Sequence, residues 1–185
     1  MQGRWTLLFG VGSVAFAAVS LAFLLAASLL DAIGSLRSVH DLVGGTDWQR
    51  GAFVRGAYGL YTFAAFAVAD HALPRILRRA WGGGILPGAQ LWLAFGGATL
   101  AGLALMGGGM AEGSLLAAGT APDDVGAALL VYRGIAFLGI GMIALAGLAF
   151  VVNLFLMYTS GDPAEYAVPA PGGAGAGSAT AAAGR

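Results

Sequence analysis

The sequence predicts an all-α integral membrane protein with four transmembrane helices and a short surface helix. Composition is the first indication: 58% of the 185 residues are apolar, 10% are charged, and mean hydropathy is +0.82. That is too apolar for a soluble domain of this size. The second is that the apolar residues gather into four runs, each able to cross a hydrocarbon core about 30 Å thick, which takes about 20 helical residues. The third is that arginines cluster where a run ends, as they do at membrane boundaries.

The first run covers residues 5–30. Arg4 and the small residues around Ala26 give it some likeness to a secretory signal. Its apolar stretch is about twice the usual signal core, so it reads as an uncleaved transmembrane helix. Between Gly34 and Gly44, Leu36, Val39, Leu42 and Val43 recur at helical spacing while Arg37, His40 and Asp41 fall elsewhere. This predicts a short helix on the membrane surface, capping the outer end of the bundle.

The second, third and fourth helices are expected over residues 52–73, 91–110 and 127–159. The last is longer than one crossing requires and should tilt or protrude. Residues 1–160 thus form the membrane domain. Residues 161–185, rich in Ala, Gly and Pro, cannot bury enough apolar area to fold and read as a disordered cytoplasmic tail.

Arg75, Arg78 and Arg79 follow the second helix with no nearby downstream acid, which makes that connection cytoplasmic. Both termini are then cytoplasmic, and Glu112, Asp123 and Asp124 face outside. The membrane is the cell inner membrane. The chain contains no lysine, and nine arginines balance nine acids, so net charge implies no nucleic-acid partner. With no cysteine there is no disulfide, no thiolate metal site and no covalently attached c-type heme. No P-loop, GxSxG or HExxH motif occurs, and the glycine run 82–84 lacks the Lys-Ser or Lys-Thr of a phosphate cradle.

The stretch 46–75 reads TDWQRGAFVRGAYGLYTFAAFAVADHALPR. Its Thr46, Asp47, Trp48, Gly51, Gly56, Gly59, Phe63, Phe66, Leu73, Pro74 and Arg75 fall in register with a known pattern. The stretch resembles the TDWxxGHxHxGxxG region of the catalytic subunit I of cbb-type (C-family) heme-copper cytochrome c oxidases. The preceding GSLRSVHDLVGG, the Gln90-Leu91-Trp92 triplet, Val131-Tyr132-Arg133-Gly134 and Val152-Asn153-Leu154 extend the resemblance over most of the chain.

The resemblance implies the last four helices of that subunit. The two family histidines that ligate hemes fall on Ala52 and Val54, neither of which can bind iron. The copper-binding histidines and cross-linked tyrosine of the family lie on helices preceding the matched region. The resemblance with its ligands replaced therefore implies no catalytic residue, no metal and no cofactor bound by this chain. Heme b and copper are expected only on partner chains, the partners being other subunits of a respiratory oxidase complex within the lipid bilayer.

The chain has only two histidines, His40 and His71, one in the outer connection and one near the cytoplasmic end of the second helix. They stand too far apart for the facing imidazoles of a b-type heme.

Three polar residues are candidates for subunit contact or structural pairing. Asp70 is the one acid well inside a helix, where a charge costs about 2.5 to 3.5 kcal/mol at the bilayer centre. It reads either as a proton-relay group or as the partner of Arg75 or Arg78. Arg55 stands one residue after a lost ligand, within reach of Asp31 or Asp47, and suits a subunit interface or an internal pair filling volume a heme would take. Arg133 matches a family arginine near the heme propionates and reads equally as an interfacial anchor.

Ala65 with Ala69, Gly97 with Ala101, and Ala98 with Gly102 have the spacing of close helix contacts. Three functions remain open: a heme-free structural, assembly or regulatory subunit of a terminal oxidase; one piece of a split working oxidase, active in oxygen reduction and proton pumping; or a small transporter on a reused scaffold.

Overall fold

The computed structural model describes residues 12–81 and 85–160. The helices in chain order are α1 (Gly12–Gly34), α2 (Arg37–Val43), α3 (Asp47–Leu77), α4 (Leu86–Ala117), α5 (Pro122–Ala128) and α6 (Leu130–Ser160). Four of them, α1, α3, α4 and α6, are long and apolar enough to cross a membrane. Residues 5–11 of the first expected helix, the glycine run 82–84 and the tail 161–185 lie outside the described residues.

Several boundaries differ from expectation for local reasons. Helix α3 begins at Asp47 rather than residue 52, because extended Thr46 caps it: the Thr46 hydroxyl accepts from the Trp48 backbone N–H at 3.4 Å. Pro87 lies in the first turn of α4, where a missing N–H costs nothing, so the helix starts before residue 91. That helix also runs on through Glu112 and Ser114 to Ala117. The single fourth helix expected from residue 127 is instead two, with a break at Leu129; Asp123 and Asp124 occupy the first turn of α5, where carboxylates favour a helix.

Helix α2 forms within the expected stretch 34–44 and packs against the bundle. Its Val43 is buried, and Val39 and Leu42 pack with Trp48 and Met106.

The four long helices run up and down in sequence, and α4 is central. On one face it meets α6 through Gly97 and Ala101, opposite Gly139: a Cβ on Gly139 would stand 2.7 Å from the Gly97 carbonyl oxygen. On another face it takes α2 and the first turns of α3. There a Cβ on Gly109 would overlap the Trp48 backbone nitrogen, and one on Gly113 the Leu42 carbonyl. These small residues allow backbone contact between helices, which in lipid must replace the hydrophobic drive. Ala65, by contrast, is exposed, so the Ala65 and Ala69 pair makes no comparable seam.

Between Arg55 and Tyr61, α3 turns π-helical. The widened turn is bonded from two sides: the Thr62 hydroxyl donates to the Ala57 carbonyl and the Ser20 hydroxyl of α1 to the Leu60 carbonyl, each at 3.0 Å. Gly59 within it lets Phe23 press against the backbone. Beyond this turn α3 packs chiefly on α1.

Aromatic rings fill the resulting interior. Phe23 stacks on Phe63 at 5.7 Å, Phe16 meets Phe63 and Phe66 at 5.9 and 5.5 Å, and Phe66 reaches Phe150 of α6 at 5.1 Å. Such pairs add about 0.5 to 1.5 kcal/mol each beyond area burial.

The far end of α3 carries its own repair. Pro74 has no N–H to give the Asp70 carbonyl one turn back. The Trp81 indole N–H donates to that carbonyl at 3.1 Å. Arg78, at φ +52°, ends the helix in left-handed conformation, and Arg79 crosses to the Tyr158 carbonyl of α6 at 2.6 Å.

Candidate functional site

The buried charged residues, Asp47 and Arg55, lie toward one end of the bundle. Asp47 has a 4% exposed side chain and accepts from two arginines: Arg50 Nη1 at 2.6 Å, one turn along α3, and Arg133 Nε at 2.9 Å from α6. Glu112 of α4 accepts the Asp47 backbone N–H at 2.8 Å. It thereby serves one of the unpaired donors at the start of α3, where the helix dipole also favours a carboxylate. Three membrane-length helices are joined by this clasp. Arg133 is thus held to a carboxylate of its own chain, and Arg50 and Glu112, which sequence reasoning did not single out, complete the network. The signal for Glu112 was its place in the last turns of α4, opposite the start of a helix.

Deeper in, Arg55 is 3% exposed. Of its two candidate partners the structure selects Asp31: Arg55 Nη2 donates to Asp31 Oδ1 at 3.3 Å, while Asp47 is occupied elsewhere. The Arg55 stem lies against α4 at Gly102, where a Cβ would stand 2.8 Å from Arg55 Cγ. Its Nε and Nη1 are buried without an acceptor among the described residues. Gln90 Nε2, buried within the first turns of α4, is likewise unpartnered. An apolar groove of about 210 Å³ lies beside Arg55 between α1, α3 and α4.

Asp70 behaves differently from the expected ion pair. Among the described residues neither Arg75 nor Arg78 reaches it. Arg75 stands five positions on, outside the i+3 and i+4 neighbours of a helix face. It turns to the His71 carbonyl at 3.5 Å, and the Arg78 backbone takes the left-handed conformation that ends the helix. Asp70 Oδ2 instead lies beside α1, 3.2 Å from where a Cβ on Gly12 would be.

The two positions that the resemblance assigns to heme ligands are separated by the helix. Val54 is buried in the bundle. Ala52 is half-buried and borders a hollow of about 290 Å³ with Asp31, His40, Trp48 and Gln49. His40, exposed on α2, is therefore near one ligand position, whereas His71 is exposed toward the opposite end of α3. No second imidazole faces His40. A six-coordinate b-type heme requires two, so these residues do not fit that group. Among the described residues no three His, Asp or Glu side chains converge as a metal site would need.

No protein-family model matches the chain, and a search of curated proteins finds no match.

Proposed function

We propose that the chain is a heme-free membrane subunit related to the catalytic subunit I of cbb-type cytochrome c oxidases. It acts as a structural, assembly or regulatory component of a respiratory terminal oxidase complex. One observation carries the reading: beside Ala52 and Val54, the positions aligned with heme ligands, the interior is occupied by the chain's own Arg55, paired to Asp31 and seated on Gly102. Val54, one of the two ligand positions, is buried in the bundle, and neither it nor Ala52 can bind iron. Heme b and copper belong to partner chains in this reading, and the partners are other oxidase subunits.

The location follows from charge. Gly12 lies by Asp70 and Tyr158 by Arg79, so the described ends of α1 and α6 share the end that carries Arg75, Arg78 and Arg79. The positive-inside rule assigns that end, with both termini, to the cytoplasm of a cell whose inner membrane holds the chain.

The test is purification of the tagged protein from its native membrane in gentle detergent, followed by mass spectrometry of what accompanies it. The reading expects oxidase subunits bearing complete heme and copper ligand sets, recovered in smaller amount with Arg55→Ala. A homo-oligomer free of them would overturn it.

A further inference from the structure

The arginines of the described residues divide by partner. Arg50, Arg55 and Arg133 meet carboxylates of their own chain at the Asp47 end of the bundle. At the other end of α3, Arg75, Arg78 and Arg79 follow closely on one another and meet no carboxylate among the described residues.

Arg75 and Arg78 are exposed. Arg75 Nη1 reaches only the His71 carbonyl, at 3.5 Å, the far limit of a hydrogen bond. The Arg78 side chain has no acceptor among the described residues, although its backbone holds φ at +52°, a left-handed conformation that glycine takes without cost and a residue with a Cβ does not. The helix dipole does not require an arginine there, since Arg75 already occupies the last turn of α3. The cluster is fixed in place through Arg79, which donates to the Tyr158 carbonyl of α6 at 2.6 Å and lies 5.8 Å from the centre of the Tyr158 ring.

Its depth is that of the lipid headgroups. Helix α3 has 31 residues, about 46 Å, against a hydrocarbon core of about 30 Å in a bilayer of about 40 to 45 Å. Centred on that core, α3 carries Arg75 about 20 Å from the midplane, in the headgroup layer. Trp81 and Tyr158 stand at the same end, as aromatic residues of a membrane boundary do. Ile76 of α3 and Ile85 at the start of α4 are 72% and 83% exposed there, apolar surface for the upper parts of acyl chains.

A guanidinium fork fits the two free oxygens of a phosphodiester. A basic cluster beside a span attracts anionic lipid, each arginine counting for about fivefold in affinity. A soluble polyanion would have to be brought to this depth, whereas phosphodiesters already lie there. We propose that the cluster binds the headgroup of an anionic phospholipid, its phosphate accepting from Arg75 and Arg78 and its acyl chains lying against the exposed apolar surface of α3. This inference stands apart from the oxidase reading, since lipid retention is measured without heme or partner.

The test uses the full chain, delipidated in mild detergent and examined by native mass spectrometry. It is reloaded separately with dioleoyl phosphatidylglycerol, with dioleoyl phosphatidylcholine, which has the same phosphate and chains but no net charge, or with inorganic phosphate. The expected result is phosphatidylglycerol retained about tenfold or more over phosphatidylcholine, and no phosphate adduct. Arg78→Gly, which eases the left-handed turn and so should fold, lowers that retention about fivefold, and adding Arg75→Gln lowers it about 25-fold. Arg37→Gln removes an exposed arginine from α2, at the opposite end, and leaves retention unchanged. If the double variant fails to fold, Arg78→Gly decides. Equal retention of the two lipids, or no fall in Arg78→Gly, would overturn the inference. An equal fall in Arg37→Gln would do the same by reducing the effect to net charge, as would phosphate binding without lipid. So would a rise in retention when Asp162→Asn and Glu165→Gln are introduced together, which would make the chain's own acids the occupant of the cluster.

Discussion

Arg55 holds a charge in the bundle with one acceptor, although a hydrocarbon side chain of similar length would fill the same space. Replacing a whole buried ion pair by apolar residues is often neutral or stabilising by about 1 to 4 kcal/mol, and the Asp31 side chain that Arg55→Met leaves alone is 62% exposed, so water serves it rather than a buried charge being stranded. Removing the stem as well leaves a cavity and loses its packing. We therefore expect Arg55→Met to melt in detergent at or above the wild-type temperature, and Arg55→Ala below it. A lower melting temperature for the methionine variant than for the alanine variant would mean that the charge itself holds the helices together. A second expectation concerns Gly109, whose added Cβ would meet the Trp48 backbone nitrogen, an atom that cannot move without shifting the start of α3. Gly109→Ala should lose at least about 1 to 3 kcal/mol, read as a fall in thermal midpoint. Gly134→Ala, where nothing lies within 4 Å, is the control and should hold or slightly raise it, since alanine is the better helix former.

At the scale of elements, α3 is held at both ends by polar groups from elsewhere. Asp47 joins it to α6, and Asp47→Asn should loosen that clasp. Because the Arg133 and Arg50 side chains are 42% and 72% exposed, water compensates in part, and the loss should be about 1 to 2 kcal/mol in a melting experiment. At the other end Trp81→Phe keeps the ring contact with Phe150 but withdraws the N–H that serves the Asp70 carbonyl. Faster amide exchange confined to the last turns of α3 is the expected readout; unchanged exchange would mean that another donor takes over. These end contacts also mark where the sequence was legible. The four spans were readable because lipid demands long apolar runs, and α2 because Leu42 and Val43 keep helical spacing with Val39. The early start of α3 was written in Thr46-Asp47 as a cap, but the apolar run that defines a span begins later. The π-helical turn at Arg55–Tyr61 was not legible, since one of the two hydroxyls bonded to its carbonyls, Ser20 of α1, is forty residues away in sequence. The pairing of Arg55 with Asp31 was among the stated options because both fall near the same end of neighbouring helices. The failure of Asp70 to find Arg75 follows from helix geometry that residue proximity in sequence conceals.

For the whole molecule, α4 is the scaffold: α6 and the start of α3 lean on its small residues, and α1 joins through α3. The outward faces of α1 and α6 stay apolar, with Leu25, Leu29, Phe137 and Phe155 all more than half exposed, as expected of surfaces that meet lipid or other membrane helices. The interior between the helices is filled by phenylalanines and by Arg55. On the proposed reading, this chain packs with its own side chains and ligates no heme. It is tested by heme content per polypeptide, from reduced-minus-oxidised and alkaline pyridine spectra, of the material purified from the native membrane and of this chain after any accompanying subunits are removed. The expected result is heme in the purified material and none on the separated, still helical chain. A stoichiometric heme that stays with the separated chain and disappears in His40→Ala would contradict it.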